Sequence, residues 1–114
     1  MNDRLMLDTN VVTFSLGGNT HVTSLINHKE HFISEITEIE LLGFHGLTVQ
    51  DEKIPNTYLS ETRIISINAS IKELAIEIKR NYKLKTIDAI IAASAIYFDL
   101  SLLLPIKLLK RLWN

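Results

Sequence analysis

The sequence contains no cysteine and no hydrophobic stretch long enough to cross a membrane. Without cysteine the chain forms neither a disulfide framework nor a thiolate metal site, and we expect a reducing compartment, the cytoplasm. The longest apolar stretch, residues 89–98, lies between Asp88 and Asp99. A helix that spans a bilayer needs about 20 apolar residues. This stretch therefore predicts a buried helix, and we expect no membrane partner.

Excess charge and sequence repeats are also absent. The net charge of the 114-residue chain is only −1, so its overall charge does not indicate nucleic-acid binding. No glycine-rich phosphate loop is present, and the apolar part of the opening segment MNDRLML is too short for a signal peptide. The lack of repeats, low-complexity tracts and linkers predicts a single domain over residues 1–114.

Short apolar runs alternate with helical patterns along the chain. Strands are predicted over residues 5–7, 31–34, 63–67 and 100–104. Helices are predicted over residues 11–16, 20–28, 35–44, 51–59, 69–82 and 87–98. Strands that alternate with helices favour a parallel sheet covered by helices on both faces. The pattern therefore predicts an α/β fold.

The first predicted strand ends on an isolated acid. Asp8 follows the apolar residues LML, and Asn10 stands two positions later. In parallel sheets, functional groups gather beyond the carboxyl ends of the strands. An aspartate at this position also commonly caps a helix by accepting a backbone N–H bond. The sequence leaves both interpretations of Asp8 open.

Glu40 is the second isolated acid. A helical period places it on an apolar stripe with Ile36, Ile39 and Gly43, and turns Glu35 towards solvent. A buried carboxylate needs a cation, a hydrogen-bond network or a proton. The alternative is a helix whose apolar stripe is rotated away from this face.

Asp88 is the third, at the start of the most hydrophobic helix and on one face with Ile91 and Ala95. The helix macrodipole also favours an acid in this first turn. Three isolated acids in apolar sequence are nevertheless explained better by one shared site than by three separate reasons. If they converge, they form an oxygen-only site that suits Mg²⁺ or Mn²⁺ better than zinc. Such an ion orients a phosphodiester and activates water.

Three segments carry a family resemblance: MLDTNVV, ISEITEIELLGF and YKLKTIDAIIAASAIYF. They closely resemble, in order, the PIN-domain nucleases, especially the VapC-type toxins of bacterial toxin–antitoxin pairs. The resemblance extends over residues 5–103. It implies a three-layer α/β/α sandwich with about four parallel strands. It also implies a Mg²⁺- or Mn²⁺-dependent ribonuclease that is often a homodimer and is silenced by an antitoxin protein.

The motifs that match also imply roles for individual residues. Asp8, Glu40 and Asp88 fall on the catalytic and metal-binding acids of the family. Thr9 and Asn10 fall on supporting polar positions.

A basic run, KRNYKLK, leads into Asp88. On its own, this run is typical of a solvated helix end. The resemblance makes an RNA-binding role equally reasonable, with contacts to RNA phosphates from Lys79, Arg80, Lys83 and Lys85.

The segment 104–114 departs from the family pattern. There the family carries T-A-D/N-K-x-F, with a fourth acidic or amide site residue, and then a helix and a fifth strand. This chain reads LPIKLLKRLWN after residue 103, with no acid. If each codon of this segment is read one nucleotide earlier, the genetic code permits the family pattern. We therefore interpret the segment as frameshifted. The expected consequences are a missing fifth strand and impaired activity. Ile106, Leu109, Leu112 and Trp113 are expected to cover the edge of the last strand.

Two other functions remain open. A catalytically inactive PIN-like domain would bind RNA or a protein partner without cleavage. A phospho-receiver domain also has acids at the ends of parallel strands. However, it requires an acceptor aspartate after its third strand, where this chain reads SINAS. Finally, His28 and His31 are three positions apart, but they straddle a helix end and a strand start, so we expect both to face solvent.

Overall fold

The computed structural model describes residues 3–104. The strands are β1 (Arg4–Leu7), β2 (Glu30–Ser34), β3 (Arg63–Ile65) and β4 (Ser101–Leu103). The helices are α1 (Thr9–Leu16), α2 (Thr20–Ile26), α3 (Glu35–Leu42), α4 (Lys53–Ser60), α5 (Ala69–Asn81) and α6 (Thr86–Tyr97). Every predicted strand and helix is confirmed, and each boundary lies within two residues of its predicted position.

The strands form one parallel sheet in the order β3-β2-β1-β4. Strand β1 is therefore an interior strand, with Leu5 paired to His31 on one side and to Ser101 on the other. Because all pairings are parallel, the strands end at one common edge, which we call the carboxyl edge. In the part of the chain that the structure describes, β4 lies at one end of the sheet, as predicted. The residues expected to cover it lie outside the described range.

Each face of the sheet carries its own hydrophobic core. Successive side chains of β1 point to opposite faces, so Met6 enters one core while Leu5 and Leu7 enter the other. The first core contains buried residues of α5 and α6, and the second contains buried residues of α1 and α4. This arrangement confirms the predicted three-layer α/β/α sandwich.

Helix α6 contains most of the longest apolar stretch, but Ile96, Tyr97 and Phe98 at its end are 62%, 49% and 39% exposed, so the prediction of a buried helix is correct only for the earlier residues. Ala89, Ile91, Ala93 and Ala95 are all buried in it. Among residues 3–104 no helix has the length and apolar character that a membrane span requires. The helix begins at Thr86, so Asp88 lies in its first turn.

Candidate active site

Asp8 lies directly after β1 and is almost completely buried, with 3% of its surface exposed. Its side chain caps α1, because Oδ2 accepts a hydrogen bond from the backbone N–H of Asn10 at 2.9 Å. The capping interpretation is therefore confirmed. The cap also holds the carboxylate in place at the carboxyl edge, where parallel sheets commonly place their functional groups.

Burial raises the pKa of the Asp8 carboxyl, and this is the largest influence on it. The N–H bond from Asn10 acts in the opposite direction. The negative charges of Asp88 and Glu40 raise the pKa further. These two acids therefore act electrostatically on Asp8, although they belong to different helices. The two negative charges thus make ionisation of Asp8 less favourable.

Helix α3 is rotated relative to its predicted orientation. Glu40 is exposed and Ile39 is 62% exposed, so the prediction that both lie on a buried apolar stripe is wrong. The buried residue of the helix is Thr37, and the fully buried Ser34 caps it. Because the inward side is partly polar, hydrophobic periodicity points to a different face of the helix.

Glu35, predicted to face solvent, instead makes a structural contact. It is half-buried, and its Oε1 accepts a hydrogen bond from the backbone N–H of Ile67 at 2.8 Å. This bond joins the start of α3 to the segment between β3 and α5. The prediction of a plain surface acid is therefore wrong for Glu35.

Two threonine hydroxyl groups connect to Glu40. Oγ1 of Thr9 donates to Oε1 of Glu40 at 2.6 Å and lies 2.9 Å from Oγ1 of Thr37. The resemblance assigns Thr9 a supporting role, and the structure shows its contact with one of the three acids. Sequence reasoning missed Thr37. The available signal was a threonine one helical turn before Glu40.

The remaining predicted site residues lie nearer the surface. Asp88 is half-buried in the first turn of α6, where the helix macrodipole favours a negative charge. Asn10 is exposed and contributes its backbone N–H to Asp8. In the basic run, Nζ of Lys79 donates to Oγ1 of Thr86 at 3.1 Å, beside the start of α6. The run's four cations are all exposed, including Arg80, Lys83 and Lys85.

The chemistry of the three acids fits a hard divalent cation. Carboxylate oxygens are the ligands that Mg²⁺ and Mn²⁺ prefer, and a cation would relieve the repulsion that raises the pKa of Asp8. Within residues 3–104, no three histidine, cysteine, aspartate or glutamate side chains are already arranged to hold a metal.

The comparisons with known proteins agree with the fold. The PIN domain family profile matches residues 5–104. No curated protein matches significantly. A chain in the structure "Toxin-antitoxin complex from Klebsiella pneumoniae" is 29% identical, with a TM-score of 0.77 over 86% of this chain and 82% of that one.

Two further structures show the same fold at lower identity. A chain of "VapBC2 from Rickettsia felis bound to a DNA fragment from their promoter" is 21% identical, with a TM-score of 0.80 over 95% of this chain and 92% of that one. A chain of "DNA bound VapBC from Salmonella typhimurium" is 20% identical, with a TM-score of 0.66 over 81% and 78%. Since the profile match spans nearly all of the described sheet and helices, the chain belongs to the PIN domain family.

Proposed function

We propose that this chain is a Mg²⁺- or Mn²⁺-dependent endoribonuclease and the toxin of a cytoplasmic toxin–antitoxin pair. The proposal depends chiefly on the buried Asp8, whose pKa is raised further by the charges of Asp88 and Glu40. A buried acid beside two other negative charges costs stability, and such a perturbed group is typical of functional sites. Membership of the PIN domain family supports nuclease chemistry.

In this proposal Asp8, Glu40 and Asp88 hold the divalent ion. The bound ion supplies a Lewis acid for the phosphate group and lowers the pKa of a water molecule. The chain's own contribution is to fix the acids. The cap to Asn10 holds Asp8, and the hydroxyl group of Thr9 holds Glu40.

The basic run is the proposed contact surface for RNA. Lys79, Arg80, Lys83 and Lys85 are exposed at the end of α5 and in the segment that leads into α6. Asp88 follows in the first turn of α6. Cations near the proposed acids would attract phosphate groups towards them.

We also propose an antitoxin partner and a homodimer. The 29% identical chain comes from a toxin–antitoxin complex, which supports the first partner. The surface from α3 to α4 supports a macromolecular contact, because it exposes Ile39 (62%), Phe44 (72%), Val49 (81%) and Ile54 (62%). Exposed apolar patches commonly mark protein interaction sites.

A catalytically inactive domain that binds RNA or a partner is the second candidate. It is favoured by the segment 104–114, which contains no acid where the family carries a fourth site residue. In our proposal the segment is a frameshifted ending that impairs cleavage. The gene sequence tests this origin. A neighbouring reading frame without a PIN-like ending contradicts it, and a restored-frame protein should cleave RNA faster.

A cleavage assay tests the function. Purified protein is incubated with single-stranded RNA in Mg²⁺, in Mn²⁺ or in excess EDTA. We expect cleavage with either metal, and none with EDTA or in Asp8→Asn. Asp99→Asn is the matched control, because Asp99 is exposed and its φ of 53° suits asparagine. Cleavage that persists in Asp8→Asn would contradict the proposal, and RNA binding without cleavage would favour the second candidate.

A further inference from the structure

We infer that Thr37 is a positioning residue that orients the carboxylate of Glu40 through the hydroxyl group of Thr9. The inference rests on the proposed metal-dependent function, in which Glu40 is a metal ligand. Thr37 lies one helical turn before Glu40 on α3, and Thr9 begins α1. The three side chains form a continuous line of contacts between the two helices.

The direction of these hydrogen bonds follows from proton counting. A threonine hydroxyl group has one proton to donate. Thr9 donates its proton to Oε1 of Glu40, at 2.6 Å. In the 2.9 Å contact between the two threonine oxygens, Thr37 is therefore the donor and Oγ1 of Thr9 is the acceptor. The bonds run in one direction, from Thr37 to Thr9 to Glu40.

Burial separates the roles of the three residues. Thr37 is 0% exposed, so the surrounding core restricts its position. Glu40 is exposed, and a long exposed side chain samples many rotamers unless it is held. Thr9 is half-buried between them. The buried hydroxyl group thus anchors the exposed carboxylate.

The same contacts relate Glu40 to Asp8. Thr9 is the next residue after Asp8, which is itself fixed as the cap of α1. A hydrogen bond from Thr9 therefore ties the carboxylate on α3 to the backbone that carries the carboxylate after β1. Outer hydrogen bonds of this kind orient metal-ligating side chains. Thr37 completes the arrangement by occupying an acceptor position on the Thr9 oxygen.

Removal of the Thr37 hydroxyl group tests the inference. Thr37→Val keeps the branched shape of the side chain, and Thr37→Ser keeps the hydroxyl group. Ser94→Ala is the matched control, because Ser94 is also 0% exposed but donates to the carbonyl oxygen of Ile90 within its own helix. If Thr37→Val does not fold, Thr37→Ala replaces it, since alanine favours helix.

Two quantities are measured on each folded variant. Calorimetric titration gives the affinity for Mn²⁺, and NMR of the metal-free protein gives the Hα–Hβ couplings of Glu40, which report its rotamers. For Thr37→Val we expect about 10-fold weaker Mn²⁺ binding and averaged couplings. Thr37→Ser and Ser94→Ala should retain the affinity and couplings of the unmodified chain.

Two results would overturn the inference. One is unchanged Glu40 couplings in Thr37→Val. The other is an equal loss in Ser94→Ala, which would indicate general loosening of the fold. If the unmodified chain does not bind Mn²⁺, the proposed function fails. The metal-free couplings of Glu40 then still decide the role of Thr37.

Discussion

The hydroxyl group of Tyr58 lies 3.2 Å from Nδ1 of His31, near the amino end of β2. On the other side of the ring, Nε2 lies 2.7 Å from the carbonyl oxygen of Ile26. A carbonyl oxygen only accepts, so Nε2 carries the proton, and Nδ1 of the neutral ring accepts from Tyr58. His31 is therefore half-buried and bonded on both sides, and the prediction that it faces solvent is wrong.

Tyr58→Phe should destabilise the fold, because it leaves Nδ1 of His31 without the hydrogen bond that the phenol donates. The expected loss is about 1 kcal/mol in the free energy of unfolding. Urea unfolding at neutral pH measures it. Tyr82→Phe serves as control, because Tyr82 is 46% exposed. Equal effects of the two substitutions would contradict the assignment.

Alkaline pH should diminish the stability difference between the unmodified chain and Tyr58→Phe. Burial raises the pKa of Tyr58 from 10.0 to about 12. The folded state thus favours the neutral phenol, whose contribution is complete below pH 10 and is lost as the pH rises towards 12. The stability advantage of the unmodified chain over Tyr58→Phe should shrink across this range. An advantage that stays constant in unfolding curves through the same range would rule out the raised pKa.

Asp8→Asn should stabilise the metal-free protein at neutral pH. The raised pKa of Asp8 means that its ionised form is less favourable in the folded state than in the unfolded state. This penalty applies at neutral pH and vanishes as the pH falls below the ordinary value of 3.8. Asparagine also caps helices well. The melting temperature of Asp8→Asn should exceed that of the unmodified chain at pH 7, with a gap that closes in acid.

Asp8→Ala provides the comparison for this experiment. Alanine also removes the charge, but it cannot accept the N–H bond from Asn10. Loss of an N-cap costs about 1 kcal/mol. We therefore expect Asp8→Ala to be less stable than Asp8→Asn. A lower melting temperature in Asp8→Asn than in the unmodified chain would show that the carboxylate is needed for the fold.

Substitutions of two glutamates of α3 should have different effects, one on the stability of the fold and the other on metal binding. Glu35→Ala removes the acceptor of the Ile67 N–H bond, so we expect a loss of about 1.5–3 kcal/mol in the free energy of unfolding. Glu40→Ala changes an exposed side chain and should alter stability by only about 0.5 kcal/mol. Mn²⁺ should still raise the melting temperature of Glu35→Ala, whereas Glu40→Ala should lose most of this rise. The opposite pattern in thermal melts would contradict both assignments.

RNA affinity should depend on the basic run. In an Asp8→Asn background, which should prevent cleavage if our proposal is correct, the double variant Lys83→Ala and Lys85→Ala should bind single-stranded RNA more weakly. The slope of log affinity against log salt should fall by about 0.7 for each RNA phosphate that the variant no longer neutralises. Lys53→Ala on α4 is the control, because Lys53 is also exposed. Matching affinities in fluorescence anisotropy would exclude the basic run from RNA binding.

The sequence predicts the fold well because the core follows simple periodicity. Met6 and Leu7 reach opposite cores, and Ile71, Ala75 and Ile78 are buried on one face of α5 as a 3.6-residue period requires. Hydropathy does not predict which residues are buried where polar groups form hydrogen bonds with one another inside the protein.

The rotation of α3 shows this failure directly. Ser34 and Thr37 are polar residues that can be buried because both have hydrogen-bond partners. A buried polar residue does not contribute to the hydrophobic pattern of the sequence, so the pattern does not show which face of α3 is buried. The half-burial of His31 is equally invisible, because its partners Ile26 and Tyr58 are brought together only by the folded chain. Asp8 is the reverse case, since an acid that ends an apolar run can be recognised from the sequence alone.

The pairing of β1 with β4 has a consequence for the order in which the protein folds. Leu7 pairs with Leu103, so this contact joins residues 96 positions apart. During synthesis β1 leaves the ribosome early, and one of its edges lacks a neighbour until almost all of the described chain has been made. Contacts between such distant residues slow folding, and unpaired strand edges favour aggregation in the meantime. A nascent chain that stalls before Ser101 would therefore expose β1, an interior strand of the described sheet, as an edge.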